Sequence, residues 1–133
     1  MNEYQQAIIS ISQILLNYDS SKKIKTYGFG GAPGFPGGVN TNNKCCHFFP
    51  CSGDPHNSEG EGVNGVFQLY NNALRYTRLS GPTLFNPLLK ETGKFTRSYH
   101  KMHPDNYTVL LIITDGIIHD MSDSIDTIVE LSD

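Results

Sequence analysis

The segment from Val109 to Gly116 constrains the fold of this chain more than any other. It consists of five apolar residues without polar alternation, followed by Thr114 and an Asp-Gly turn. Such a run is typical of a strand that is buried on both faces in the middle of a parallel sheet. Open α/β sheets bind their ligands at the carboxyl ends of the strands. The pattern therefore predicts that Asp115 lies at a ligand-binding edge.

Length and composition restrict the class of protein. The chain has 133 residues, enough for one domain with a hydrophobic core. Its formal net charge of -3 argues against a general nucleic-acid binder. No apolar run approaches the roughly 20 residues that span a bilayer, and the N-terminus lacks the basic and apolar regions of a signal peptide. The three cysteines, two of them adjacent, do not make a disulfide framework, so we expect a reducing, cytoplasmic location.

Apolar spacing predicts helices around the buried run. Apolar residues recur every three or four positions from Glu3 to Tyr18 and from Val63 to Thr77, which indicates one helix in each segment. A third helix is expected to start near Leu84 or Phe85, with Pro87 in its first turn and Gly93 weakening its middle.

Short strands and a last helix complete the expected order. Strands are predicted at 24–29 and 46–49, and residues 122–124 offer N-caps for a helix that runs to Leu131. Helices interleaved with strands favour a layered α/β fold. Because such a sheet usually starts and ends with strands, we expect a fragment that is truncated at both ends.

Residues 30–46 form a long stretch rich in glycine, proline and asparagine. Its prolines and glycines argue against a helix or a central strand. A phosphate-binding P-loop needs Lys followed by Ser or Thr after its last glycine, whereas Val39 and Asn40 follow here. We therefore interpret the stretch as a flexible surface connection.

Zinc-binding and catalytic alternatives have weaker support. The candidate zinc ligands are Cys45, Cys46, His47, Cys51 and His56. Their spacing does not give two ligand pairs, and adjacent cysteines serve one tetrahedral site poorly. None of the five histidines has a serine or cysteine partner at a motif spacing. We therefore expect no enzyme activity and no catalytic residue.

Thr83 and Asp115 are the strongest pair of candidate metal ligands. Each closes a turn, and turns at the same end of a sheet would bring the two side chains together. Hydroxyl and carboxylate oxygens, completed by water, suit magnesium or manganese. In the structural alternative, Asp115 caps its own turn and Thr83 caps the helix that begins at Leu84.

Several segments together resemble the copine family. They are Tyr18-Asp19-Ser20 with Tyr27-Gly28-Phe29-Gly30, residues 62–66, residues 79–87 and residues 113–121, in this order across nearly the whole chain. Copines are cytosolic proteins with two calcium-dependent membrane-binding C2 domains followed by a von Willebrand factor A-like domain. The resemblance implies that residues 1–133 are part of that last domain, with 30–46 as a loop within it.

The resemblance implies a doubly wound, mostly parallel sheet with helices on both faces and a metal-ion-dependent adhesion site. In the family pattern an Asp-x-Ser/Thr-x-Ser motif, a Thr and an Asp hold the metal. Thr83 matches the second element and Asp115 the third, and the first is missing from this sequence. A divalent cation (magnesium or manganese, with calcium as a further option) would then bind weakly or not at all. Gly81, Pro82 and Gly116 would shape the two loops.

The implied function is the binding of intracellular partner proteins, with the cation coordinating an acidic side chain of the partner. Asp120 is a candidate supporting acid, and no nucleic-acid partner is expected. Membrane binding would come only from C2 domains outside this chain, which would recruit the full-length cytoplasmic protein to the plasma membrane with calcium. The alternative is the copine-like domain of a RING-type E3 ubiquitin ligase, for which paired Cys and His ligands downstream would decide.

Overall fold

The computed structural model describes residues 2–17, 22–105, 108–114 and 119–132, which fall into two compact units, 1–81 and 82–133. The first unit contains α1 (Glu3–Leu16), β1 (Lys23–Lys25), β2 (Tyr27–Gly28), β3 (Gly31–Pro33), β4 (Phe49–Pro50), β5 (Glu59–Glu61), α2 (Gly62–Tyr76) and β6 (Thr77–Leu79). The second unit contains α3 (Asn86–Met102) and α4 (Met121–Leu131).

The described strands pair into three separate two-stranded sheets, all antiparallel. Strand β1 pairs with β5, β2 with β4, and β3 with β6. The register of the third sheet places Ala32 opposite Arg78. The mixed α/β composition is confirmed, but the described residues do not form the doubly wound parallel sheet that the sequence predicts.

The apolar run that predicts a central strand is not a strand where it is described. Residues 108–114 form neither helix nor strand, and Val109, Leu110 and Leu111 are 64%, 42% and 44% exposed. A buried strand needs neighbouring strands to pair its backbone groups, and this run is part of none of the three sheets of the described residues. The prediction is wrong for these residues. Asp115 and Gly116 lie outside the described residues.

Helix α1 confirms the first predicted helix, with its end two residues earlier. Asn2 and Gln5 cap it reciprocally, since the side chain of each accepts a hydrogen bond from the backbone N–H of the other at 2.8 Å. The Gln5 amide also donates to Asn71 Oδ1 on α2 at 2.8 Å, and the two helices pack together. The turn predicted at 18–21 lies outside the described residues.

The core of the first unit is built on the segment that its composition predicts to be a flexible surface connection. Phe35 is only 5% exposed and packs with Phe49, Cys51 and Ala73, and Pro33 is fully buried. Burying a phenylalanine side chain stabilises a fold by roughly 1.5–3 kcal/mol. The surface-connection prediction is therefore wrong for residues 31–33 and 35, which are buried, whereas residues 36–38 and 42–44 of the same segment are exposed.

A tight turn from Thr41 to Lys44 reverses the same segment. Asn42 and Asn43 have φ angles of +53° and +67°, and the Lys44 N–H donates to the Thr41 carbonyl at 3.1 Å. Two consecutive central residues with positive φ define a type I′ turn. Asparagine tolerates this conformation better than most residues do.

Helices α2 and α3 confirm the two middle helices, with shifted ends. Helix α3 begins at Asn86 rather than at Leu84 or Phe85, and Pro87 lies in its first turn as predicted. It continues to Met102. Strands β5 and β6 were not predicted, and β6 begins at Thr77, the last residue of the second predicted helix. Three residues are too few to show a hydrophobic period.

Helix α4 confirms the last helix but starts before its predicted caps. Its first helical residue is Met121, so residues 122–124 lie in its first turns and Asp120 is the N-cap residue. Helices α3 and α4 pack together, and a Cβ at Gly93 would overlap Leu131 Cδ2. The glycine that weakens α3 by propensity therefore permits the close approach of α4.

Candidate functional site

Of the two candidate metal ligands, the structure describes only Thr83. It lies in the loop before α3, and hydrogen bonds join it to the loop before α4. The Thr83 N–H donates to His119 Nδ1 at 2.9 Å, and the His119 N–H donates to the Thr83 carbonyl at 2.8 Å. In this arrangement His119 Nδ1 is an acceptor, so the neutral ring carries its proton on Nε2. The two bonds fix the backbone of Thr83 against the second loop.

Asp120 holds the start of α3. One carboxylate oxygen accepts from the Phe85 N–H at 2.9 Å and from the Ser124 hydroxyl at 3.1 Å, and the other accepts from the Asn86 N–H at 2.8 Å. Phe85, the N-cap residue of α3, has no side-chain acceptor of its own. Asp120 therefore satisfies two of the N–H groups that every helix leaves unpaired at its start.

This environment changes the acidity of Asp120. Burial raises the pKa of the carboxyl, but the hydrogen bonds from Phe85, Asn86 and Ser124 outweigh it, so the pKa lies below its ordinary value of 3.8. The group is ionised at neutral pH and faces the positive end of the α3 dipole. Both of its oxygens are used in capping, so Asp120 has a structural role here.

Thr83 does not cap α3, which corrects the structural alternative for this residue. The helix starts three residues later, and Asp120 supplies the cap. Thr83 is half-buried, and no hydrogen bond joins its hydroxyl to another group within the described part of the chain. This oxygen is a hard donor of the kind that magnesium prefers.

Gly81 and Pro82 precede Thr83 in the same loop. A Cβ at Gly81 would meet no atom within 4 Å, and its φ lies outside the left-handed region. The predicted loop-shaping role of Gly81 therefore has no steric basis. Gly116, the third loop-shaping candidate, is outside the described residues together with Asp115.

The cysteine-rich segment does not assemble a metal centre. Among residues 2–17, 22–105, 108–114 and 119–132, no group of three or more His, Cys, Asp or Glu side chains could hold a metal ion. Cys45 Sγ lies 3.9 Å from His47 Nδ1. Burial raises the pKa of the Cys51 thiol to about 12, and a protonated thiol is a poor metal ligand.

Sequence reasoning missed the tethering roles of His119 and Asp120. Asp120 is 35 residues from Phe85, so no local spacing connects them. One signal was available. Phe85, the residue before α3, has no side-chain acceptor for the first N–H groups of the helix, so a residue from another part of the chain was needed to cap it.

None of the helices in the described part of the chain combines the length and the apolar character that crossing a membrane requires.

Comparison with known proteins places the chain in a family. The Copine family model matches residues 1–133. BONZAI 2 of Arabidopsis thaliana is 35% identical over 133 residues, which are 100% of this chain and 22% of that protein. Copine-A of Dictyostelium discoideum is 35% identical over 132 residues, 99% of this chain and 21% of that protein. The chain spans about a fifth of the length of these curated relatives. It belongs to the copine family.

Proposed function

We propose that this chain is the protein-interaction module of a copine-like protein. In this proposal the fold is von Willebrand factor A-like, with a doubly wound sheet, and the module binds an acidic side chain of an intracellular partner through a divalent cation. The observation that carries the proposal is the copine family match across residues 1–133. Calcium-dependent phospholipid binding would belong to C2 domains outside this chain and would recruit the full-length protein from the cytoplasm to the membrane.

Thr83 and Asp115 are the proposed ligands of the cation, magnesium or manganese. The Thr83 hydroxyl has no hydrogen-bonding partner within the described residues, and two backbone bonds to His119 hold the residue in place. Asp115 lies outside the described residues and is proposed from the sequence resemblance alone, four positions before His119.

The cation would supply the positive charge that attracts the partner's carboxylate. The residues of this chain would hold the site in position. His119 fixes the Thr83 loop, and Asp120 fixes the start of α3, three residues after Thr83. Two protein ligands are fewer than an octahedral site needs, so water and ligands from elsewhere in the protein would complete the shell. This predicts weak affinity for the isolated chain.

A manganese titration of the isotope-labelled chain, followed by NMR, tests the site. Mn²⁺ is expected to broaden the amide signals of Thr83 and His119 before others, and Asp115→Ala and Thr83→Ala should remove this effect. Thr83→Ser keeps the hydroxyl and should retain it. The matched control is Asp126→Ala, which removes an exposed carboxylate on α4. Equal broadening in wild type and Asp115→Ala would contradict the metal site.

Partner binding needs the full-length protein. An intracellular partner should be captured in magnesium and released by a chelator, and Asp115→Ala should behave as the chelated wild type does. Capture that persists in the chelator would refute a cation-bridged interaction. The RING-ligase alternative would require paired Cys and His ligands in a segment outside this chain, and no observation favours it.

A further inference from the structure

We propose that a groove on the first unit binds a phosphate monoester. The groove lies between the Thr41–Lys44 turn and the junction of α2 with β6; it is shallow and largely open to solvent, with a volume of about 680 Å³. Its polar lining residues are Asn40, Asn42, Asn43, Arg75, Thr77 and Arg78. We call it the arginine groove.

The charge of the arginine groove is uncompensated. Arg75 and Arg78 are both exposed, and no acidic residue lines the groove. Neither arginine takes part in an ion pair with another described residue. Guanidinium groups bind phosphate oxygens through paired, charge-assisted hydrogen bonds. Two of them at one groove favour an anion with several acceptor oxygens.

Neutral groups of the arginine groove add donors. Asn40 Oδ1 accepts from the Asn42 N–H at 2.9 Å, so the NH₂ group of Asn40 is the part that remains for a ligand. The Thr77 hydroxyl is buried and has no hydrogen-bond partner among the described residues. Such an unpaired group is unfavourable, but the oxygen is buried beneath the surface of the groove and is not counted among the donors.

Backbone hydrogen bonds hold the two walls of the groove together. The Gly34 N–H donates to the Tyr76 carbonyl at 2.8 Å, and the Thr41 N–H donates to the Pro33 carbonyl at 3.0 Å. The Tyr76 carbonyl belongs to the negative end of α2, which repels anions with roughly half a charge. That carbonyl is already hydrogen-bonded, and two full positive charges outweigh the dipole. The net preference of the groove is for anions.

A phosphate monoester fits better than a simple carboxylate. It carries nearly two negative charges and three terminal oxygens, enough to engage both guanidinium groups and an amide. The groove volume leaves room for an organic body behind the phosphate. The same chemistry is found in soluble phosphorylated molecules and in lipid headgroups, so the test has one arm for each source.

NMR titration of the 133-residue chain with glycerol 3-phosphate tests the proposal, with acetate as the comparison anion. Saturable shifts are expected at Asn40, Asn42 and Arg78, and acetate should bind more weakly. Arg75→Gln/Arg78→Gln should weaken glycerol 3-phosphate binding by about tenfold or more, because each charged hydrogen bond lost is worth about a factor of ten.

The matched control is Lys90→Gln/Arg97→Gln, which removes two exposed positive charges from α3. It should leave the affinity for glycerol 3-phosphate unchanged. Equal weakening by both double variants would reduce the interaction to general charge attraction and overturn the proposal. Absence of saturable binding in the wild type would overturn it as well. Far-UV circular dichroism confirms that each variant remains folded.

Vesicle co-sedimentation distinguishes a lipid headgroup from a soluble phosphorylated molecule as the ligand. Phosphatidylcholine vesicles with and without phosphatidic acid are compared for the wild type and for Arg75→Gln/Arg78→Gln. Binding that requires both phosphatidic acid and the arginines identifies a lipid headgroup. Binding of glycerol 3-phosphate without vesicle binding identifies a soluble ligand. Either result must persist in a chelator and in Asp115→Ala, since the groove shares no residue with the proposed cation site.

Discussion

Asp120 illustrates how one side chain can serve a helix to which it does not belong. Its carboxylate bonds the first N–H groups of α3 while it sits at the start of α4. The carboxylate caps α3 only; its one bond to α4 is to the Ser124 hydroxyl, and the backbone of α4 is not capped by this side chain. A change at this residue should therefore act mainly on the start of α3.

Replacing Asp120 with asparagine is expected to destabilise the chain by about 1 kcal/mol at neutral pH, because the charge and one acceptor oxygen are lost. Urea unfolding measures the difference. Since the folded pKa lies below the unfolded one, the contribution of the carboxylate is present above the unfolded pKa and disappears as pH falls through the folded pKa. The difference in free energy of unfolding between the wild type and Asp120→Asn should therefore become smaller below about pH 4.

Asp126→Asn is the control for this prediction, because Asp126 is exposed on α4. It should unfold at the same urea concentration as the wild type at every pH from 7 to 3. A gap between wild type and Asp120→Asn that stays constant from pH 7 to pH 3 would show that the ionised form is not what stabilises α3.

At the residue scale the sequence predicts Thr83 as a metal ligand, which stays a prediction, and it does not indicate the residues that hold the Thr83 loop. A threonine after Gly-Pro stands out as a candidate ligand, and its hydroxyl is unpaired within the described residues. His119 and Asp120 act across more than 30 residues. Such pairs cannot be predicted from spacing because the folded backbone alone brings them together.

Helices were predictable as elements, and strands only in part: β1 and β2 lie largely within the strand predicted at 24–29, and β4 overlaps the one predicted at 46–49 at Phe49. Each helix carries an apolar stripe over three or more turns, so its period is visible in the sequence. Each described strand has two or three residues, which is too short for alternation to be recognised. The observed end of a helix also differs from the predicted one where a distant residue supplies the cap, as at the start of α3.

Gly93 provides a test of how α3 and α4 approach each other. Alanine would improve the helix propensity of α3 by about 1 kcal/mol, but its Cβ would overlap Leu131 Cδ2. We expect the overlap to dominate and Gly93→Ala to destabilise the chain by about 1–3 kcal/mol in urea unfolding.

A double-mutant cycle with Leu131→Ala isolates this contact. Removing the leucine side chain should make Gly93→Ala neutral or stabilising, since the propensity gain then stands alone. If Gly93→Ala stabilises the chain even with Leu131 present, the side chain moves aside freely and tight packing is not the reason for the glycine.

For the whole molecule, the α/β class followed from the sequence, whereas the sheet arrangement did not. The run at 109–113 has the composition of a central strand, but a strand is defined by neighbours, and the described strands pair elsewhere. Its apolar side chains are left partly in water: Val109 is 64% exposed and Leu111 is 44% exposed. Exposed apolar runs of this kind promote association.

The isolated chain is therefore expected to bind a hydrophobic dye such as ANS. Val109→Lys/Leu111→Lys should reduce the dye fluorescence by several-fold, because both side chains contribute to one exposed run. The control is Leu79→Lys, at an isolated leucine that is 86% exposed, and it should change the fluorescence little. Equal reductions by the two variants would mean that the run is not the dye-binding surface.

The pairing of β3 with β6 also determines when the first unit can form during biosynthesis. Strand β3 ends at Pro33, and its partner ends at Leu79, so the ribosome must release more than forty further residues before this sheet can close. Long-range pairing of this kind is slow. Until then Phe35 and Phe49 lack the α2 residues that cover them, and a nascent chain at that stage is a natural client for chaperones.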